Sequence, residues 1–307
     1  MKISLIILAS VAGLTVVAEI ALRLIMGLGN PPLYVADPEI GYLLAPNQKL
    51  RRSGNLIETN QYSMRNQELP AQSDEQRRIL LLGDSVVNGS WWTDQAETLS
   101  SLLTNKLQQD AERTTVLNAS ANSWGPQNEL AYLRRFGLFD AKALVLIINT
   151  DDLDAVEPHS LVVGNSYSYP EQPPALALIE FYQLYIAEPK SIPELEQLQE
   201  ANTDRLSQNL AAIKEIKAIA DANQMQFILA LTPLRQEFQQ DLSESEQNAR
   251  KRLQELVQAE NINYLDFLKI WRDFPQPEFL YRDQIHPSAQ GNSKIVEAIA
   301  KELIITK

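Results

Sequence analysis

The chain has 307 residues, 45% hydrophobic and 21% charged, the balance of a folded globular protein long enough for one large core. Its formal net charge is −12, and residues 31–307 carry 25 basic against 38 acidic side chains, which argues against nucleic acid or an anionic membrane surface as a partner of that part. There is no cysteine, so disulfides and thiolate metal sites are excluded, while the compartment stays open.

Residues 3–18 carry no charge, and after Glu19 the apolar character resumes through Ile20-Ala21-Leu22 and Leu24-Ile25-Met26. Taken as one helix, this stretch is long enough to cross a bilayer. Glu19 and Arg23, four apart, can pair near its outer end. Lys2 favours an inside start. No small-x-small cleavage site with a polar mature start follows, so an uncleaved anchor with the remainder extracytoplasmic, periplasmic or extracellular, is the reading, with a cleaved signal and a secreted product as its rival. Gly29-Asn30-Pro31-Pro32 closes the segment, so residues 1–30 stand as a unit. Residues 31–77 alternate turn residues with short apolar stretches and read as a small β-rich lead-in.

From residue 78 the pattern alternates strand and helix. Ile79-Leu80-Leu81-Leu82 is a buried strand broken at Gly83, and Asp84-Ser85 follow at once, which sets a serine at the carboxyl end of a strand, the edge where open α/β sheets bind ligands. Leu99, Leu102, Leu103 and Leu107 give a helix, and Thr115 to Asn118 a second strand. Leu130, Leu133 and Phe136 give another helix, and Ala143 to Ile148 a central parallel strand ending Asn149-Thr150-Asp151-Asp152. Residues 154–204 fit the alternation poorly. Their prolines and tyrosines read as an insertion over the active edge, with the tyrosines placed either to stack on a sugar or to pack the insertion down. His159, near the start of this insertion, reads as a solvated loop histidine. Asn202-Thr203-Asp204 opens a helix with an apolar stripe from Leu206 to Ile219, followed by strand Phe227–Leu231, a helix over 244–260 and a short strand Asn263–Asp266. Pro287 then begins a last helix facing the sheet with Ile295, Val296, Ile299 and Leu303. Five parallel strands alternating with helices predict a three-layer α/β/α domain over 78–307. No repeat, phosphate loop or metal-ligand spacing is present, so no cofactor is expected.

A lone serine needs a base oriented by a carboxylate. Only two histidines exist, and one, His286, lies in Asp283-Gln284-Ile285-His286-Pro287, with Asp283 three residues before it. The G-D-S-x-x-x-G run at 83–89 after the first sheet strand, with D-x-x-H-P before the final helix, resembles the SGNH (GDSL-type) hydrolase family across residues 78–305. The lead-in adds Asn60-Gln61-Tyr62-Ser63-Met64-Arg65, similar to an N-x-x-G-x-R element of envelope members, with Ser63 where glycine is usual; a surface hairpin is the other reading of this stretch.

The resemblance implies a flavodoxin-like five-stranded sheet and a cofactor-free serine esterase acting on acyl, often acetyl, esters of small molecules or envelope glycans. It implies Ser85 as nucleophile, His286 as base and Asp283 as its orienting partner, with Asp84 organising the loop. It also implies an oxyanion hole of the Ser85 N–H, the Ser123 N–H at the family's glycine position, and the residue at 151. That last residue is asparagine in the family and Asp151 here. An ionised carboxylate there carries the wrong charge and no donor. Three alternatives stay open: Asp151 is protonated, Asn149 or another donor substitutes, or the chain is a silent glycan-binding or assembly factor. An O-acyltransferase of envelope glycans differs from an esterase only in its acceptor.

Overall fold

The computed structural model describes residues 2–69, 76–108, 113–201, 203–240 and 242–305. Residues 70–75 of the lead-in and Asn202, part of the expected helix start, lie outside the described residues. Helix α1, Lys2–Ala21, continues through a wider-wound turn to Met26. None of its side chains is buried, and its mean hydropathy is 2.4 over an 18-residue window. Two antiparallel hairpins follow: β1 Tyr34–Asp37 with β2 Gly41–Leu44, and β3 Lys49–Arg52 with β4 Asn55–Glu58.

The main sheet is parallel throughout. Its strands are β5 Gln76–Gly83, β6 Arg113–Ser120, β7 Ala143–Asn149, β8 Gln226–Thr232 and β9 Asn263–Asp266, in spatial order β6-β5-β7-β8-β9. This is the flavodoxin-like order, in which the chain steps to one side of the first strand and then to the other. The switch point is the carboxyl end of β5, where Ser85 stands. The β6 strand reaches Ser120, beyond the stretch that periodicity marks, because its polar end residues pair with β5 up to Gly83.

Alternation of side chains along the strands divides the core into two layers. Helices α2 Ser85–Asn88, α3 Leu99–Gln108, α4 Pro126–Phe136, α5 Ala177–Tyr185, α6 Pro193–Glu200, α7 Arg205–Ala222 and α8 Glu244–Ala259 follow one another along the chain. Leu80, Leu82, Leu144, Leu146, Leu229 and Leu231 face α4, α7 and α8. Ile79, Leu81, Val145, Ile147 and Ile228 face α2, α3, α9 Phe267–Arg272 and α10 Ala289–Ile305. The fold is therefore the expected α/β/α sandwich. Residues Ile79 to Leu82 are fully buried, each contributing about 1.5–3 kcal/mol as an upper estimate. The lead-in joins the first layer through Tyr34, Ile40, Tyr42, Leu43, Leu44 and Met64. Residues 154–201 carry only α5, α6 and turns.

Helix starts follow local chemistry. Asp204 accepts the Ser207 N–H at 3.0 Å and opens α7, and Ser243 with Glu246 forms a reciprocal capping box on α8. At the end of β5 the backbone must turn within one residue into α2, and Gly83 leaves no room for more: a Cβ there would collide with the Val87 side chain and the Ile147 carbonyl oxygen. Gly83→Ala is expected to lower stability by about 1–3 kcal/mol through overpacking. Urea unfolding checks this, and an unchanged midpoint would show that the turn relaxes freely.

Candidate active site

The strand-to-helix turn after β5 is organised by Asp84, which is buried at its N-cap position. Its Oδ1 accepts the Val86 N–H at 2.8 Å. Its Oδ2 lies 2.9 Å from Asn149 Nδ2 and 3.1 Å from Ser85 Oγ. Ser85 thus opens α2, where the first N–H groups of a helix have no acceptor within the helix.

Residues 283–286 come to the same point from the loop before α10. His286 Nε2 lies 2.9 Å from Ser85 Oγ, and its Nδ1 lies 2.9 and 3.0 Å from the two oxygens of Asp283. Asp283 Oδ1 also accepts the N–H groups of Ile285 and His286, each at 2.9 Å, which folds the four residues into one tight turn. Partial burial works to raise the Asp283 pKa, but those two backbone donors and the imidazole outweigh it and hold the carboxyl below its ordinary value. The single proton of Ser85 has two acceptors in reach, His286 Nε2 and Asp84 Oδ2. Trp92 meets the imidazole edge to face at 4.8 Å between centroids, and Arg282 covers Trp92 at 4.6 Å. No periodicity or spacing in the sequence singles out Trp92.

Ser123 and Asp151 line the same cleft as Ser85, whose volume is about 490 Å³. Ser123 has φ +58°, the left-handed region where the family has glycine, and its N–H finds no acceptor among the described residues. Its Oγ accepts from the Tyr169 hydroxyl at 2.9 Å. Asp151 has an exposed side chain on the cleft wall, and its N–H donates to Asn149 Oδ1 at 2.8 Å. Burial, then Glu237, Glu246 and Asp154, raise its pKa. The amide donor beside Asp84 is Asn149, at the last position of β7. Thr150 next to it is fixed by Glu237 at 2.6 Å, and Glu237 in turn is paired with Arg250 at 2.6 Å.

Four further residues are legible only in part. His159 is not solvated as expected: it is half-buried in the cleft wall, its Nδ1 has no partner among the described residues, and burial lowers its pKa. Arg65 is buried, and its guanidinium donates to the carbonyls of Asn88, Ser90 and Thr93, so the 60–65 stretch is a clamp on the loop after α2 rather than a surface hairpin. Ser63 has φ +60°, which explains why glycine suits that position. Tyr169 packs on Tyr34 and Tyr42, at 4.9 and 5.2 Å, so this tyrosine serves packing.

A model of the GDSL-like lipase/acylhydrolase family matches residues 81–294, more than half of the chain. The chain belongs to this family. No curated protein matches it. Among solved structures it is similar to a lipase/acylhydrolase from Enterococcus faecalis, with 18% identity, a TM-score of 0.47, and cover of 74% of this chain and 95% of the other. It is also similar to an acetylxylan esterase from Geobacillus stearothermophilus, with 13% identity, a TM-score of 0.48, and cover of 74% and 93%. Membership makes the chain a hydrolase of the family's acyl-ester type, and both family motifs, GDS at 83–85 and DxxH at 283–286, lie inside the matched span.

Beneath this site of the family lies an acidic feature that no sequence pattern disclosed. Glu129 of α4 is fully buried with neither carboxyl oxygen hydrogen-bonded among the described residues. Burial, and after it the neighbouring charge of Asp84, push its pKa well up; Asp152 is raised in the same way by burial and by the charges of Asp84 and Glu129. A folded-state pKa above the unfolded value gives stability that is full below about pH 4 and is lost as pH rises toward the folded value. Glu129→Gln removes that dependence. The variant is expected to match the parent near pH 4 and to exceed it progressively toward pH 8, by at most about 1.4 kcal/mol per pH unit across the window. Thermal unfolding across that range checks it, and parallel curves would show that Glu129 folds ionised.

Proposed function

We propose that the chain is a serine esterase of the family whose nucleophile is Ser85, and the observation that carries this is the unbroken line Ser85–His286–Asp283 at 2.9 Å per step. Ser85 Oγ attacks the ester carbonyl while His286 Nε2 takes its proton, and Asp283 holds the imidazole with Nδ1 protonated. The tetrahedral oxyanion is received by the N–H groups of Ser85 and Ser123 and by Asn149 Nδ2, which has a second hydrogen beyond the one given to Asp84. His286 then returns the proton to the departing alcohol. Water, activated by the same imidazole, releases the acid from Ser85. Asp151 stays at the cleft wall.

The wall bearing Asp151 and Glu157 is acidic, which favours neutral esters, such as acylated small molecules or glycans, over anionic ones. We place this domain outside the cytoplasmic membrane with α1 as its anchor. Twenty-five helical residues through Met26 span ~37 Å at about 1.5 Å each, enough for a hydrocarbon core of about 30 Å. The end of α1 is also tied to the domain, since Glu19 accepts the N–H groups of Ala177 and Leu178 at 2.9 and 3.0 Å, which a cleaved signal would not need to do.

The full-length protein in detergent should cleave short-chain aryl esters. Ser85→Ala and His286→Ala should each remove most of the rate, about as much singly as together, because the two act as a unit. Undiminished turnover in Ser85→Ala would end this assignment. For the oxyanion, Asn149→Ala should cost about 10²–10³ in kcat, as loss of one donor does elsewhere, whereas Asp151→Asn should change kcat little at any pH. The reverse pattern would move the donor role to position 151.

A further inference from the structure

Outside α1, eight large hydrophobic side chains are exposed among the described residues, and five of them belong to one short segment: Leu176, Ile179, Tyr182, Tyr185 and Ile186. That segment is α5 with its two flanking residues. Ala177 and Glu180 are buried and Leu184 is half-buried, spaced i, i+3, i+7, so they form the inward face. Ile179, Tyr182 and Ile186 fall on the opposite face. Glu180 is the only charged residue of the helix, and it is turned inward. The outward face is therefore apolar without a single charge, which water does not stabilise.

What lies against this face follows from where α5 is tied. The Glu19 carboxylate near the outer end of α1 caps the first turn of α5, and Arg23 reaches the Ala175 carbonyl at 3.4 Å. Just past the same end of the anchor, Glu180 takes the Gly29 N–H at 2.5 Å and pairs with the buried Arg52 at 2.5 Å. So α5 is held beside the last turns of α1 by bonds on both sides of the membrane exit. Helix α1 is clad in exposed Ile, Leu and Val along its whole length, and the apolar face of α5 continues that surface at the level where α1 leaves the bilayer.

We propose that α5 lies in the outer lipid surface of the bilayer that α1 crosses, with Ile179, Tyr182 and Ile186 inserted at the headgroup boundary. Two tyrosines and branched aliphatics are the side chains that favour that depth. Being clamped to α1, α5 needs no affinity of its own to reach the membrane; its burial fixes the tilt of the domain. A small cavity walled by Glu180 and Leu184 of α5 also has Trp91 and Trp92 in its lining, and Trp92 touches His286. The His286 imidazole is thus linked to α5 through the two tryptophans. The proposal rests on α1 being a membrane anchor.

The chain has no cysteine, so single cysteines can be nitroxide-labelled without background. The full-length protein in phosphatidylcholine vesicles would carry the label at Ile179→Cys, Tyr182→Cys or Ile186→Cys, at Leu14→Cys in mid-α1, or at the exposed Lys251→Cys of α8 as an aqueous reference. Power saturation then reads collision with oxygen, which favours lipid, against a nickel chelate, which stays in water. The α5 sites are expected to shift toward oxygen and away from nickel relative to Lys251→Cys, in the same direction as Leu14→Cys but less far. Leu14→Cys in lipid with the α5 sites as wet as Lys251→Cys would overturn the proposal alone. Protection of the α5 sites from both reagents would also overturn it, by showing a protein partner there. A wet Leu14→Cys would overturn the anchor reading itself, and the proposal with it.

Discussion

A carboxyl group buried at the end of a central strand must find all of its hydrogen-bond partners inside the protein. Asp84 finds three, two in the first turn of α2 and one at the end of β7. The Val86 N–H fixes the turn into α2, Asn149 Nδ2 fixes the end of β7, and Ser85 Oγ is held between this carboxyl and His286. The relative placement of Ser85, His286 and Asn149 therefore depends on one buried carboxylate. Burial raises its pKa, while the Val86 N–H, the imidazole and the Ser85 and Asn149 hydrogen bonds oppose that rise. The balance decides which acceptor holds the serine proton.

The surroundings of that turn are made rigid by polar contacts more than by packing alone. Arg65 gathers three carbonyls of the loop after α2 that would otherwise be buried without donors, and burial pulls its pKa down to about 10. On the β7 side, Thr150, Glu237, Arg250 and Asp266 form one chain of charge-assisted bonds that steadies the strand end carrying Asn149. Losing one member leaves the others buried and unpaired, which costs more than the bond removed.

The same logic connects the end of α1 to the Ser85–His286 site. Glu180 joins Gly29 and Arg52, so the exit of α1, the second hairpin and α5 move as one body. Arg52 also lies over Trp91, whose neighbour Trp92 packs on His286. The end of α1 and the His286 imidazole thus belong to one connected set of side chains.

The amino-acid sequence by itself determined the layers and the ends of this fold. Runs such as Ile79 to Leu82 and Ala143 to Ile148 can only be strands buried on both faces, and Leu210, Ile213 and Ile216 only a helix packed on them, because burial imposes those periods. It also determined the two motifs, since Asp283 and His286 are three apart and their turn is local. The tertiary structure decided everything set by proximity across long separations. Ser85 and His286 are brought within hydrogen-bond reach across 201 positions, and Asn149, not position 151, supplies the amide beside Asp84, because Asn149 ends β7 on the sheet face that Ile147 shares with α2. Glu129 gave no sign in the sequence, where it follows Gln127 and Asn128 in the polar first turn of a helix; only the packing of α4 against the sheet shows it stripped of water. That His159 is half-buried in the cleft wall, Trp92 meets an imidazole and Tyr182 stays uncovered is likewise a matter of what the fold lays beside them, which no spacing along the chain records.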